Sequence, residues 1–232
     1  MSIFPEAQAK AILTKVVGFS QADECTAQLN GATRGNVRFA RNDVSTAGVT
    51  DDIQLAVQVA FGKRVGTATI NQFDDASLQR VVRRAEELAR LAPENPEFMP
   101  AVPQQTYLKT NTFSAPTAAI DPAYRAKVAS DSIGPCRAEN LVAAGYLEDQ
   151  AGFVAFMNSK GNYGYQTSTS SDYTCTVRTP DGRGSGWVGH NVQDVAQFNA
   201  GEDIRVAMRK ASASAGAQAL EPGKYTVILE PA

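Results

Sequence analysis

Histidine is almost absent from this chain, whose 232 residues include only His190. Metal-assisted hydrolysis needs two or three ligands at fixed spacing with a general base nearby. With one histidine there is no HExxH and no HxxxH. Cysteine is nearly as scarce. Cys25, Cys136 and Cys175 lie far apart, are odd in number and form no CxxC pair. That pattern supports neither a zinc knuckle nor a disulfide framework, and it fits reduced thiols in the cytoplasm. There is no excess of basic charge either. The 22 Lys and Arg residues face 24 Asp and Glu, a net charge of -2, which argues against a general nucleic-acid surface. No apolar run approaches the roughly 18 residues of a membrane span, so no membrane partner is expected. The start, Met1-Ser2-Ile3-Phe4-Pro5-Glu6, does not read as a signal peptide. Gly182-Arg183-Gly184-Ser185-Gly186 lacks the preceding strand and the following Gly-Lys-Ser/Thr of a phosphate-binding loop.

What is present is enough apolar sequence, 43%, for a substantial core. Pro5–Val17 reads as a helix with Ala9, Ile12, Leu13, Val16 and Val17 on one face. Strands are expected at Glu24–Asn30, Asn36–Arg41, Asp52–Phe61 and Arg64–Ile70, with turns at Gly31–Gly35 and Gly62-Lys63. In the third, Ile53, Leu55, Val57, Val59 and Phe61 alternate with small or polar residues, the period of a half-buried antiparallel strand. Asp75–Leu91 has Leu78, Val81, Val82, Ala85, Leu88 and Ala89 on one helical face, with Asp74 or Asp75 to cap it. Arg83–Glu87 and Glu86–Arg90 pairs are expected on its outer face.

Residues 92–122 carry six of the 11 prolines and read as an extended connector between two halves. A third helix starts near Asp121-Pro122, and Gly134-Pro135 should end or kink it. Strands follow at Leu141–Glu148, Gly152–Asn158, Tyr163–Ser170 and Tyr173–Arg178, then a Gly-rich loop over Asp181–Gly189 and a helix over Glu202–Ala215. Last comes a strand, Tyr225–Leu229, built to be buried, after the Pro222-Gly223 turn. The order, helix, four strands, helix, seen twice, predicts an α+β fold with antiparallel sheet. No residue pattern shared by the halves is visible. The chain stops just after the last strand, as a cut between domains would leave it. Apolar exposure near 220–232, or self-association, is then expected.

Two places could carry chemistry. His190 could act in a stand-alone hydrolase if it met Cys25, Cys136, Cys175 or a carboxylate. Asn158-Ser159-Lys160-Gly161 follows a good strand. It reads as a hairpin tip with glycine at positive φ, or as a loop whose Asn158, Ser159, Lys160 and Gly161 offer donors to a bound peptide.

At this hairpin a family resemblance begins. Phe156-Met157-Asn158-Ser159-Lys160-Gly161-Asn162-Tyr163-Gly164-Tyr165 resembles the "NSKG" hairpin of the TldD/PmbA family. The ending Leu220-Glu221-Pro222-Gly223-Lys224-Tyr225-Thr226-Val227-Ile228-Leu229-Glu230-Pro231-Ala232 is similar too. So is the order Arg38–Asn42, Val57–Gly66, then the Asp75–Leu91 helix. The Leu-Glu-Pro-Ala ending resembles the PmbA/TldE-like branch, whose members often lack the metal motif.

The resemblance implies two-domain cytosolic proteins whose active members are zinc metallopeptidases with their metal ligands in the carboxy-terminal domain. Residues 1–232 would then be the amino-terminal α+β domain, with no catalytic or metal residue and no cofactor of its own. It would position unfolded peptide and contact a paralogue or a second copy. The family has also been described as a modulator of DNA gyrase, and a gyrase-binding module is a further alternative. The charge balance gives no support to direct DNA binding.

Overall fold

The computed structural model describes residues 3–229. Six strands form one open antiparallel sheet, and with five helices they make an α+β fold. In chain order the elements are α1 (Glu6–Phe19), β1 (Glu24–Ala40), β2 (Asp43–Phe61), β3 (Arg64–Ile70), α2 (Asp75–Leu91), α3 (Ala115–Ala118), α4 (Pro122–Ala138), β4 (Val142–Asn158), β5 (Tyr163–Arg178), β6 (Ser185–Val192) and α5 (Ala200–Ser214). The strand order is β3-β2-β1-β4-β5-β6. Helix, three strands, helix therefore occurs twice, where the sequence suggests four strands each time.

The chain forms two compact units whose boundaries fall inside β1, β2, β4 and β5 and, between Phe113 and Ser114, in the connector. The first comprises the described residues of Met1–Thr33, Thr50–Phe113 and Ala151–Ser168. Its core joins Leu13 and Val16 of α1, Leu78 and Val82 of α2, and Leu29, Leu55, Val57 and Phe153 of the strands. Asp74 caps α2 by accepting the Ser77 N–H. Glu86 is buried instead of facing out. It accepts the Gln21 N–H at 2.7 Å beyond the end of α1 and meets Arg90 at 3.7 Å. The outer pair is Arg84–Glu87.

The second unit comprises the described residues of Arg34–Val49, Ser114–Gln150 and Thr169–Ala232. Val37, Phe39, Val128, Ile133, Leu147, Tyr173, Val177, Ile204 and Met208 fill its core. Pro135 does not end α4, which runs on to Ala138. Gly134 before it has no Cβ to meet the proline ring. The helix stops instead at Asn140, φ 54°, where Leu141 N–H reaches Cys136 C=O and Asn140 N–H reaches Arg137 C=O. That is a Schellman cap.

The glycine clusters mark close approach rather than turns. β1 runs straight through Gly31–Gly35. A Cβ at Gly152 of β4 would lie 2.6 Å from the Gly31 carbonyl. The turn between β1 and β2 is Arg41-Asn42, both at positive φ. The segment 181–189 is a turn only at its start, and from Ser185 it is the edge strand β6. A Cβ at Gly186 would meet Ala207 O of α5 at 2.1 Å, and one at Gly66 of β3 would meet Ala85 O of α2 at 2.2 Å. In both units a glycine on an edge strand thus lets an alanine-faced helix touch the sheet. This is a residue pattern shared by the halves that the sequence reading did not find.

Tyr225–Leu229 does not form a buried strand. No strand is assigned over 215–229, and Ile228 and Leu229 are 97% and 83% exposed. No described strand pairs with this segment, so its apolar pattern alone does not make it a sheet member. Glu230-Pro231-Ala232 of the Leu-Glu-Pro-Ala motif lie outside the described residues.

Candidate functional site

The Asn158–Gly161 hairpin is built from its own side chains. Asn158 is buried, and its Oδ1 accepts the N–H groups of Lys160 (3.1 Å) and Asn162 (3.0 Å). Gly161 holds φ +87°, a conformation side chains resist. Ser159 ties the tip to the start of β1. Its Oγ accepts the Cys25 N–H at 3.1 Å and its N–H donates to the Cys25 carbonyl at 2.8 Å. In the second unit Asn42, at the tip of the β1–β2 hairpin, does the same for Ala143 near the start of β4. Lys160 Nζ lies 3.5 Å from Glu24 Oε1, and its side chain stays partly exposed. Asn158 and Ser159 therefore spend their polar atoms on the chain itself, and Lys160 offers the freest head.

Beside this hairpin the connector forms a groove. Asn162, 1% exposed, pins one end: its Oδ1 accepts the Gln105 N–H (2.8 Å) and the Tyr107 hydroxyl (3.1 Å), and its Nδ2 donates to the Val102 carbonyl (3.0 Å). Tyr107 also packs edge-on against Phe156, ring centroids 5.3 Å apart. Thr112 pins the other end, its Oγ1 donating to the Thr167 carbonyl at 2.8 Å. Between the pins lies a cavity of about 400 Å³ bounded by Gln105–Phe113, Tyr163–Thr167 and Glu6. None of Asn158, Ser159, Lys160 or Gly161 lines it. A prolines-as-linker reading misses this wall. The signal was in Gln105, Tyr107, Asn111 and Thr112, hydrogen-bonding residues unlike a glycine and serine spacer.

His190, on β6, meets a carboxylate and not a thiol. Its Nε2 lies 3.5 Å from Asp203 Oδ1 in the first turn of α5, with Phe198 beside the ring. Asp203 is buried with Oδ2 unpaired among the described residues, and burial pushes its carboxyl up while His190 pulls it down. The three thiols are buried. Desolvation raises Cys25 and Cys136 to about 11 and Cys175 to about 12. None is a thiolate near neutrality, so a cysteine nucleophile is not prepared here. Among the described residues no three His, Cys, Asp or Glu side chains come together to hold a metal ion. The zinc implied by the resemblance does not fit these residues. Among them, too, no helix is long and apolar enough to cross a membrane.

Residues 29–89 match the family model of PmbA/TldA metallopeptidase domain 1. None of the curated proteins matches the chain in sequence. Among solved structures, TldE from Thermococcus kodakarensis superposes with a TM-score of 0.78 at 13% identity, over 88% of this chain and 47% of that one. A Thermotoga maritima protein described as a candidate modulator of a DNA gyrase gives 0.80 at 11%, over 92% and 50%. A Bacteroides thetaiotaomicron protein so described gives 0.76 at 13%, over 95% and 52%. At such identities these likenesses establish the fold. The chain spans about half the length of the structures it matches.

Proposed function

We propose that the chain, whose residues 29–89 match PmbA/TldA metallopeptidase domain 1, is a TldD/PmbA-type non-catalytic domain that positions unfolded peptide and contacts a partner subunit. The observation that carries the reading is an open antiparallel sheet in a chain whose residues 29–89 match PmbA/TldA metallopeptidase domain 1. The exposed edge of a sheet takes an extended peptide through backbone hydrogen bonds that ignore side-chain identity, the property needed to handle unfolded substrates. The apolar residues exposed over 220–229 support contact with a paralogue or a second copy, as a homo- or heterodimer. Proteolysis, with its zinc, would belong to the active members of the family, and cytoplasmic residence follows from the same resemblance.

The test is direct. The purified chain should bind fluorescein-labelled oxidised insulin B chain in an anisotropy titration and leave it uncut with or without added zinc. Zinc-dependent cleavage would overturn the non-catalytic reading, and absence of binding would overturn peptide positioning. The alternative with His190 as the base of a hydrolase lacks a nucleophile, since its partner is Asp203 and the thiols are protonated. The gyrase-module alternative rests only on how two structural relatives are described.

A further inference from the structure

We infer that the free edge of β2 over residues 43–49 takes an extended peptide segment, which pairs with the strand and lays uncharged side chains in the cavity between β2 and α4. The inference rests on the peptide-positioning reading and says where on the second unit the peptide lies.

β2 has β1 on one side and β3 on the other, and β3 pairs with it only from Leu55 to Phe61. Residues 43–49 therefore have no strand on their outer side, and among the described residues no loop backbone bonds to them. The two-residue turn Arg41-Asn42 makes Ala40 and Asp43 the pair that exchange backbone hydrogen bonds, so Val44 and Thr46 turn theirs away from β1. Two contacts agree with that register. The Val44 N–H donates to the Asp43 carboxylate at 3.0 Å, and Ser45 Oγ donates to the carbonyl of Arg38 on β1. Thr46 thus presents both its backbone groups outward.

Beside this edge lies a cavity of about 310 Å³ lined by Val37, Val44, Ala47, Val49, Pro122 and Ala126. Val44 and Val49 are 48% and 56% exposed. The charged group in its wall, Arg125, is already neutralised by Asp149. A charged side chain would lose its water here and gain no partner, so the cavity suits uncharged ones.

The first unit shows what kind of occupant such an edge takes. In each unit one edge strand lies under an alanine-faced helix, β3 under α2 and β6 under α5. The opposite edge of the first unit is β5, with the start of α1 beside it at Glu6 and the extended connector along it, pinned through Asn162 and Thr112. The opposite edge of the second unit is β2, with the start of α4 beside it at Pro122 and, among the described residues, no such extended segment along it. The equivalent place is thus shaped for an extended chain. Seven residues of edge span about 23 Å at roughly 3.3 Å per residue, room for a segment of about seven.

Residue-resolved hydrogen exchange with oxidised insulin B chain tests this. In the free chain the Thr46 amide should exchange faster than that of Ser45, and bound peptide should slow it. Thr46→Pro removes the outward N–H and should weaken binding about tenfold. Ala126→Glu puts a charge into the cavity from an exposed helix position, where folding is not at risk, and should weaken binding by a similar factor. Protection on β3, β5 or β6 instead, with affinity unchanged in Ala126→Glu, would overturn the β2 site and leave the peptide-positioning reading standing. Protection of Thr46 that grows with protein concentration in the absence of peptide would make the edge a contact between copies and overturn the site too. No binding at all would overturn both.

Discussion

Gly35 lies directly under the guanidinium of Arg125: a Cβ built on residue 35 would fall 1.8 Å from Arg125 Nη2. Arg125 is buried there because it forks onto Asp149, Nε to Oδ1 at 2.6 Å and Nη2 to Oδ2 at 2.8 Å. Both partners are buried. Such a pair offsets its desolvation only while both members stay in place. Arg125→Ala should destabilise the chain by about 3–5 kcal/mol, because Asp149 is left charged and unpaired. Gly35→Ala should cost a similar amount by ejecting the guanidinium. In the Arg125→Ala background, however, Gly35→Ala should cost little, since its Cβ then has room. A double-mutant cycle by urea denaturation reads this coupling. Equal costs in both backgrounds would show that Gly35 does not serve the ion pair.

The two edge-strand glycines should behave alike. Gly66→Ala and Gly186→Ala each press a methyl on helix backbone, which cannot swing aside as a side-chain tip can. Each should destabilise by about 1–3 kcal/mol or more and lower the thermal midpoint. Gly62→Ala, with open space around its Cβ but φ +56°, should cost only the backbone strain of about 1 kcal/mol. If Gly66→Ala and Gly186→Ala proved neutral, the glycine-on-helix contact would not be what shapes the two halves.

These glycines also mark the limit of what the sequence discloses. Leu78, Val82 and Ala85 announce α2 by their spacing, and Leu55, Val57 and Val59 announce β2, because burial of one face imposes a period on the chain. Glycine announces only that a side chain is unwelcome. At Gly62 the reason is a turn. At Gly35, Gly66, Gly152 and Gly186 it is a neighbour distant in sequence, which local reading cannot supply. Hence local reading splits β1 and β4 each in two and makes β6 a loop, and it splits β5 as well, at Ser171-Asp172. The hairpin at Asn158–Gly161 was legible as a tip with glycine at positive φ. The Asn162 pin and the wall at 105–113 were not, because both depend on contacts across more than fifty residues of chain.

At that hairpin, stability and peptide binding should separate. Asn158→Ala strips the acceptor from two N–H groups, and Ser159→Ala strips it from Cys25 N–H. Each should lower stability by about 1–2 kcal/mol. Lys160→Ala loses only a 3.5 Å contact with Glu24 and should cost about 1 kcal/mol at most. With peptide paired along a free sheet edge and not at the hairpin tip, Lys160→Ala should leave the insulin B chain affinity within about twofold. A loss of tenfold or more would move the contact surface onto the hairpin tip.

The buried thiols predict how the fold fails in alkali. In the unfolded chain a thiol ionises near 9.0, whereas folding holds Cys25 and Cys136 to about 11 and Cys175 to about 12, chiefly by desolvation. A raised folded-state value means the native chain keeps protons that the unfolded chain gives up. The thiols therefore favour the fold fully below about pH 9, and that support drains away as pH rises toward 11 and 12. Each contributes a slope of about 1.4 kcal/mol per pH unit, or about 4 kcal/mol per unit for the three. Tyr163, raised to about 12 mainly by burial, adds loss of the same sign above about pH 10. Urea midpoints measured from about pH 8 to pH 11 should fall steeply on the alkaline side. Cys175→Ala should flatten that limb by about a third, whatever it costs at neutral pH. In parallel, iodoacetamide near pH 8 should leave all three cysteines unmodified in the folded chain and label them in urea. Rapid labelling of any one in the native state, or an alkaline limb unchanged by Cys175→Ala, would show that the thiols are not sealed in the core.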